Sequence, residues 1–167
     1  MLVITAGRTG PNRSVRFGGD LSLDDRGRRD VLTLRTDLVL GPSDTVVCGP
    51  ERAARETCEL LVGGQDAVDD RLRTLDVGAW DGRVPEEVPP DELGLWFGDP
   101  AARPHGGETI TEFVDRIDRW RVTIEAEPTI CVVAMPVAQA LLATDADGYF
   151  AAEVRPATVY DLQTRGQ

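Results

Sequence analysis

An α/β layer fold with a largely parallel sheet is predicted by two features of this 167-residue chain. Short apolar, β-branched runs alternate with longer stretches whose apolar residues recur at helical intervals, the order that strands joined by helices produce. Thr129 to Ala134 is apolar throughout, as expected of a central strand covered on both faces.

Each element can be justified in turn. Leu2-Val3-Ile4-Thr5 reads as a buried strand ending at Ala6-Gly7, and a loop rich in Gly and Arg follows to about Asp20. Asp25 to Leu38 has helical spacing at Val31, Leu34 and Leu38. Thr45 to Cys48 is a second strand, and Pro50 suits the first position of a helix that runs to about Val62 and stops at Gly63-Gly64. Residues 66 to 107 read as irregular, with Pro, Gly and acidic residues around Trp80 and Trp96. Thr109 to about Glu125 is the strongest helix: Ile110, Phe113, Val114, Ile117 and Trp120 form an apolar stripe, and Thr109 with Glu112 has the form of a capping box. Pro136 to Leu142 is a further helix and Thr158 to Leu162 a last strand. No repeat or linker interrupts the pattern, so residues 1–167 are expected to form a single domain.

Composition excludes several functions. All 18 basic residues are arginine, against 29 acidic ones, for a net charge of −11. Nucleic-acid and anionic-lipid surfaces need a basic stripe, and none is visible. Without lysine, Schiff-base chemistry and a P-loop grip are unavailable. Cys48, Cys58 and Cys131 form no metal-ligand spacing and read as reduced thiols, so a cytoplasmic protein without metal or cofactor is expected. No segment approaches the roughly 20 apolar residues of a membrane helix.

In an open α/β sheet, ligands bind where strands end and helices begin. Three such points are readable: Thr5-Ala6-Gly7-Arg8, Cys48-Gly49-Pro50-Glu51-Arg52 and Ala134-Met135-Pro136. Arg52, in the first turn of its helix, is either an anion site or a surface arginine paired with an acidic neighbour. Cys48 followed by Arg55 misses the spacing of a cysteine phosphatase by one residue, and Cys48 reads as a small core residue.

Further segments lie along the chain in a particular order. Ile4-Thr5-Ala6-Gly7-Arg8-Thr9 comes first, then Asn12 with Phe17-Gly18-Gly19-Asp20, Leu23 and Gly27. Cys48 to Ala53 with Glu56-Thr57 follows, then Leu72 to Asp76, Gly78-Ala79-Trp80-Asp81-Gly82, Gly106-Gly107-Glu108-Thr109, and Cys131 to Leu142. In this order they resemble the motifs of the histidine phosphatase superfamily, the phosphoglycerate-mutase-like fold, over nearly the whole chain. The resemblance implies a three-layer α/β sandwich with a mostly parallel central sheet.

It also implies a site that this chain does not reproduce. Family members attack phosphate with one histidine, hold it with two arginines and a second histidine, and protonate the leaving group with an acid. By the resemblance, Ala6 stands at the nucleophile, Thr5 at the first arginine, Met135 at the second histidine and Thr74 at the acid, leaving Arg52 of the pocket. The single histidine, His105, lies outside both histidine motifs. No catalytic residue of the family mechanism is therefore expected.

The expected function is that of a catalytically degenerate protein, neither phosphatase nor mutase. Its pocket would bind a small, partly apolar anionic metabolite through Arg52, Arg8, Asn12, Phe17 and Met135, or a protein partner would dock over the same loops. The alternative is a repurposed enzyme, an isomerase, lyase or cyclase with His105 and Glu108 as acid and base. Against that pair stands a solvent-exposed loop histidine beside a helix-capping glutamate. A third reading is a structural subunit whose pocket is filled by its own side chains. Trp80, between Asp76 and Asp81, is expected to anchor its loop to the core, and a homodimer is compatible with the composition.

Overall fold

The computed structural model describes residues 1–10, 16–41, 44–64, 67–124 and 129–162. In chain order they form β1 (Leu2–Thr5), α1 (Asp25–Asp37), β2 (Thr45–Cys48), α2 (Arg52–Val62), β3 (Ala67–Val68), α3 (Pro90–Gly98), α4 (Ile110–Ile124), β4 (Thr129–Val133), α5 (Met135–Leu142) and β5 (Val159–Asp161). The sheet order is β3-β2-β4-β1-β5. The β3–β2, β2–β4 and β4–β1 pairings are parallel, with Leu2 opposite Ile130 and Cys48 opposite Val132. β5 is antiparallel to β1, with Val3 opposite Tyr160.

Side-chain alternation along the strands builds a core on each face of the sheet. Val3, Cys131 and Val133 pack with α4, α5 and the segment around Trp80, whereas Ile4, Cys48, Ile130 and Val132 pack with α1 and α2. All five residues of β4 are buried, which the continuous apolar run required. Trp80, Phe113 and Trp120 are buried almost completely, each contributing roughly 1.5–3 kcal/mol through burial. The three cysteines are free and buried. Among the described residues, no helix is long and apolar enough to cross a membrane.

Caps fix the helix boundaries. The Asp24 side chain accepts from Gly27 N at 2.6 Å at the start of α1, and Gly63, at φ 80°, ends α2. At α4 the capping box forms in both directions: Glu112 N donates to Thr109 Oγ1 at 3.0 Å, and Thr109 N to Glu112 Oε2 at 2.9 Å. α2 begins at Arg52, two residues after Pro50, and Glu51 occupies its N-cap position.

The stretch expected to be irregular contains β3, which joins the edge of the sheet beside β2, then α3 and three short 3-10 turns, whose buried residues pack into the core on the α4 face of the sheet. Trp80 is its centre, with ring centroids of Phe17 and His105 at 5.0 Å and of Trp96 at 5.6 Å. Two backbone segments meet beside it. Ala79 N donates to His105 O at 2.9 Å, and Glu108 N to Asp76 O at 2.8 Å. Glycine is required at this contact, because a Cβ on Gly107 would lie 2.3 Å from Asp76 O.

Candidate functional site

At the carboxyl end of β2 the turn Gly49-Pro50-Glu51 leads into α2. Gly18 to Asp20 and the segment Arg73 to Val77 face this turn, and together they line a cleft of about 300 Å³. A second lobe of about 570 Å³ runs on toward Gly106, Gly107 and α4. Arg73, Thr74 and Asp76 line both lobes, so the two form one groove.

Glu51 is the partly enclosed carboxyl group of this groove. Its Oε1 accepts from Thr74 N at 2.7 Å, while Oε2 is buried without a hydrogen-bond partner among the described residues. Oε2 rests on the open face of Gly49, where a Cβ would approach it to 2.9 Å. Burial pushes the Glu51 carboxyl above its ordinary pKa, and repulsion from Asp20 adds to this. The Thr74 N–H and the Arg73 charge act in the opposite sense.

The three arginines of the groove differ. Arg71 is held by Asp69 at 2.7 Å. Arg116 donates to both Glu108 oxygens at 2.8 and 2.9 Å and to the carbonyls of Arg71 and Arg73 at 2.8 and 3.1 Å, clamping the floor of the second lobe. The exposed guanidinium of Arg73 makes no hydrogen bond or ion pair among the described residues.

Most residues singled out in the sequence lie outside this groove. The Thr5 hydroxyl ties β1 to the approach of β5, donating to Arg155 O and accepting from Thr158 N at 3.0 Å. Ala6 is buried, its N–H bonded to Val133 O at 2.7 Å. Met135 is 41% exposed at the start of α5. Arg52 projects outward, with Ser22 Oγ 3.5 Å from its guanidinium, and its backbone N–H is taken by the Asp20 carboxylate at 2.6 Å. The anion position expected at this helix start is thus filled by an acidic side chain of the protein itself. Arg8 is half-buried, and its carbonyl accepts from Asp24 N at 3.0 Å. Phe17 packs on Trp80 and Trp96, and Asn12 lies outside the described residues. Of the expected positions, Thr74 lines both lobes of the groove and Glu108 lines the second.

His105 and Glu108 do not form an acid–base pair. His105 is 3% exposed, against the expectation of a loop histidine in solvent. Its Nδ1 accepts from Gly107 N at 3.0 Å, its ring meets Trp80 edge to face, and burial lowers its pKa. Glu108 is committed to Arg116. Sequence reasoning passed over Glu51 and Arg73. The available signal was a glutamate directly after Gly49-Pro50 at a strand end, where a loop feeds a helix.

Comparison with known proteins agrees with this architecture. The profile of the histidine phosphatase superfamily (branch 1) matches residues 2–164. The glucosyl-3-phosphoglycerate phosphatase of Mycolicibacterium vanbaalenii is 29% identical over 124 residues, taking in 70% of this chain and 55% of that protein. The chain thus spans little more than half the length of this curated relative. Among solved structures, a mycobacterial glucosyl-3-phosphoglycerate phosphatase superposes with a TM-score of 0.78 at 23% identity, covering 95% of this chain and 87% of the other. A phosphoglycerate mutase from Thermus thermophilus superposes with a TM-score of 0.77 at 25% identity, covering 95% and 89%.

These relatives overturn the functional expectation. A protein named as a phosphatase and one named as a mutase match this chain, which runs against a degenerate binding protein and does not favour the isomerase, lyase or cyclase alternative.

Proposed function

We propose that this chain, which belongs to the histidine phosphatase superfamily, has a phosphatase-like function, cleaving phosphate monoesters in the groove at the carboxyl end of β2. The observation that carries this reading is the family match along residues 2–164, joined by relatives named for phosphate-ester chemistry.

The chain's own residues shape how this chemistry would run. Its one histidine is enclosed beneath Trp80, so in this proposal water, and not an imidazole, attacks phosphorus. The water oxygen bonds to phosphorus while the ester P–O bond breaks, its electron pair passing to the alcohol oxygen. Glu51 gives that oxygen a proton and regains one from solvent after the attacking water has released its own. The unpartnered Oε2 and the raised pKa suit Glu51 to holding that proton. Arg73 offsets the phosphate charge, and the Thr74 N–H keeps the Glu51 carboxyl in place.

The test is hydrolysis of a panel of phosphate monoesters in ¹⁸O-labelled water, with the wild-type protein beside Glu51→Gln. The expected result is one ¹⁸O in the released phosphate and a kcat loss of about 100-fold or more in Glu51→Gln. Failure to cleave any ester, or equal rates in the two proteins, would refute the proposal.

A further inference from the structure

We infer that the groove takes a phosphate monoester whose body carries an ammonium group, the phosphate seated at Arg73 and the ammonium directed toward Asp70. The phosphate half of this inference rests on the phosphatase-like reading above; the selection by charge rests on the groove itself.

Arg73 lines both lobes and its side chain has no partner among the described residues, so it is the cation there that a ligand can claim. The other two arginines are already matched, Arg71 by Asp69 and Arg116 by Glu108. Glu112 is likewise matched by Arg103 at 2.6 Å. The four aspartates of the groove make no ion pair among the described residues. Asp20 and Asp81 accept only backbone N–H groups of Arg52 and Gly19, Asp76 accepts from Gly78 N, and Asp70 makes no side-chain hydrogen bond among the described residues.

A ligand that enters therefore meets one uncommitted positive charge within a negative surround. Phosphate alone satisfies Arg73 but is repelled by the carboxylates around it. A second anion on the same molecule adds repulsion, whereas an ammonium group two or three bonds from the ester converts Asp70 and Asp76 from a penalty into a contact. Asp70 opens a 3-10 turn directly before Arg73, which puts the two opposite charges on one rim of the second lobe.

Three esters of similar size test this: O-phosphoethanolamine, glycerol 3-phosphate and 3-phosphoglycerate, whose bodies carry an ammonium, no charge and a carboxylate. Titration calorimetry at low salt is expected to rank them in that order, with about tenfold or more between the first and the last. Asp70→Asn should narrow the spread, weakening the ammonium ester while the two esters without an ammonium lose a repelling carboxylate and bind no more weakly than before, and Arg73→Gln should weaken all three. The inference is overturned if 3-phosphoglycerate binds as tightly as the ammonium ester, if none of the three binds, or if Asp70→Asn leaves the spread intact. Turnover measured on the same samples separates the two proposals. The expected ranking without hydrolysis would refute the phosphatase-like reading alone, and hydrolysis with the reverse ranking would refute this one alone.

Discussion

Replacing Gly107 and Gly94 by alanine, one at a time, should shift stability in opposite directions. A methyl group on Gly107 would sit 2.3 Å from Asp76 O and 2.8 Å from Gly78 N, both backbone atoms that no rotamer change can move aside. Relief requires the segments at 76–79 and 105–108 to separate, which weakens the bonds Ala79 N to His105 O and Glu108 N to Asp76 O. At about 1 kcal/mol for each bond and a further 1–2 kcal/mol, roughly, for overpacking beside Trp80, the loss is about 3–4 kcal/mol. For a chain of this size that lowers Tm by about 6–15 °C. Gly94 lies inside α3, and a methyl group added there would meet nothing within 4 Å. Alanine at that position gains about 0.8–1 kcal/mol of helix propensity, and Tm should rise by a few degrees. Thermal unfolding followed by circular dichroism measures both variants. A Gly107→Ala protein as stable as wild type would refute the account of the two-segment contact.

Two further predictions concern pH. Burial holds the His105 pKa below its ordinary value of 6.5, and its Nδ1 already accepts from Gly107 N, so below about pH 6.5 the unfolded chain takes up a proton that the native one refuses. Stability should fall as pH drops through that value toward the lower native pKa, and denaturant titrations of His105→Phe should lack this step. Asp69 is held down to about 2, first by its Arg71 hydrogen bond and also by the Trp120 indole at 2.8 Å, against 3.8 when unperturbed. Its contribution is present above pH 3.8 and lost as pH falls toward 2; Trp120→Phe should cost about 1.5–3 kcal/mol at neutral pH and shrink this acid limb.

Local chemistry made most of the framework legible. The capping box, the Gly63 stop and the apolar run of β4 each act within a few residues, and each element formed where its signal lay. α3 escaped notice because Pro89, Pro90, Gly94 and Gly98 give it the composition of a loop, and tertiary contact through Trp96 holds it. β3 is two residues long, too short for any period to register. The site was harder to read because its features depend on distant partners. His105 is enclosed by Trp80 and Trp96, and the Arg52 N–H is taken by Asp20. Glu51 gains its buried setting from Gly49 and Thr74, a meeting of a β2 turn with a segment beyond β3. Spacing within one motif carries no trace of such pairings.

The position of β1 has a consequence for synthesis. Its hydrogen-bonding partners are β4 at residues 129–133 and β5 at residues 159–161, so β1 leaves the ribosome long before either of the strands that flank it. Until β4 has emerged, Leu2 to Thr5 has both edges unpaired, whereas α1 and α2 can already pack together. Such late, long-range pairing makes folding slow and leaves an apolar strand open to other chains meanwhile. A nascent chain stalled before residue 129 would therefore bind chaperones, and one released past residue 161 would not.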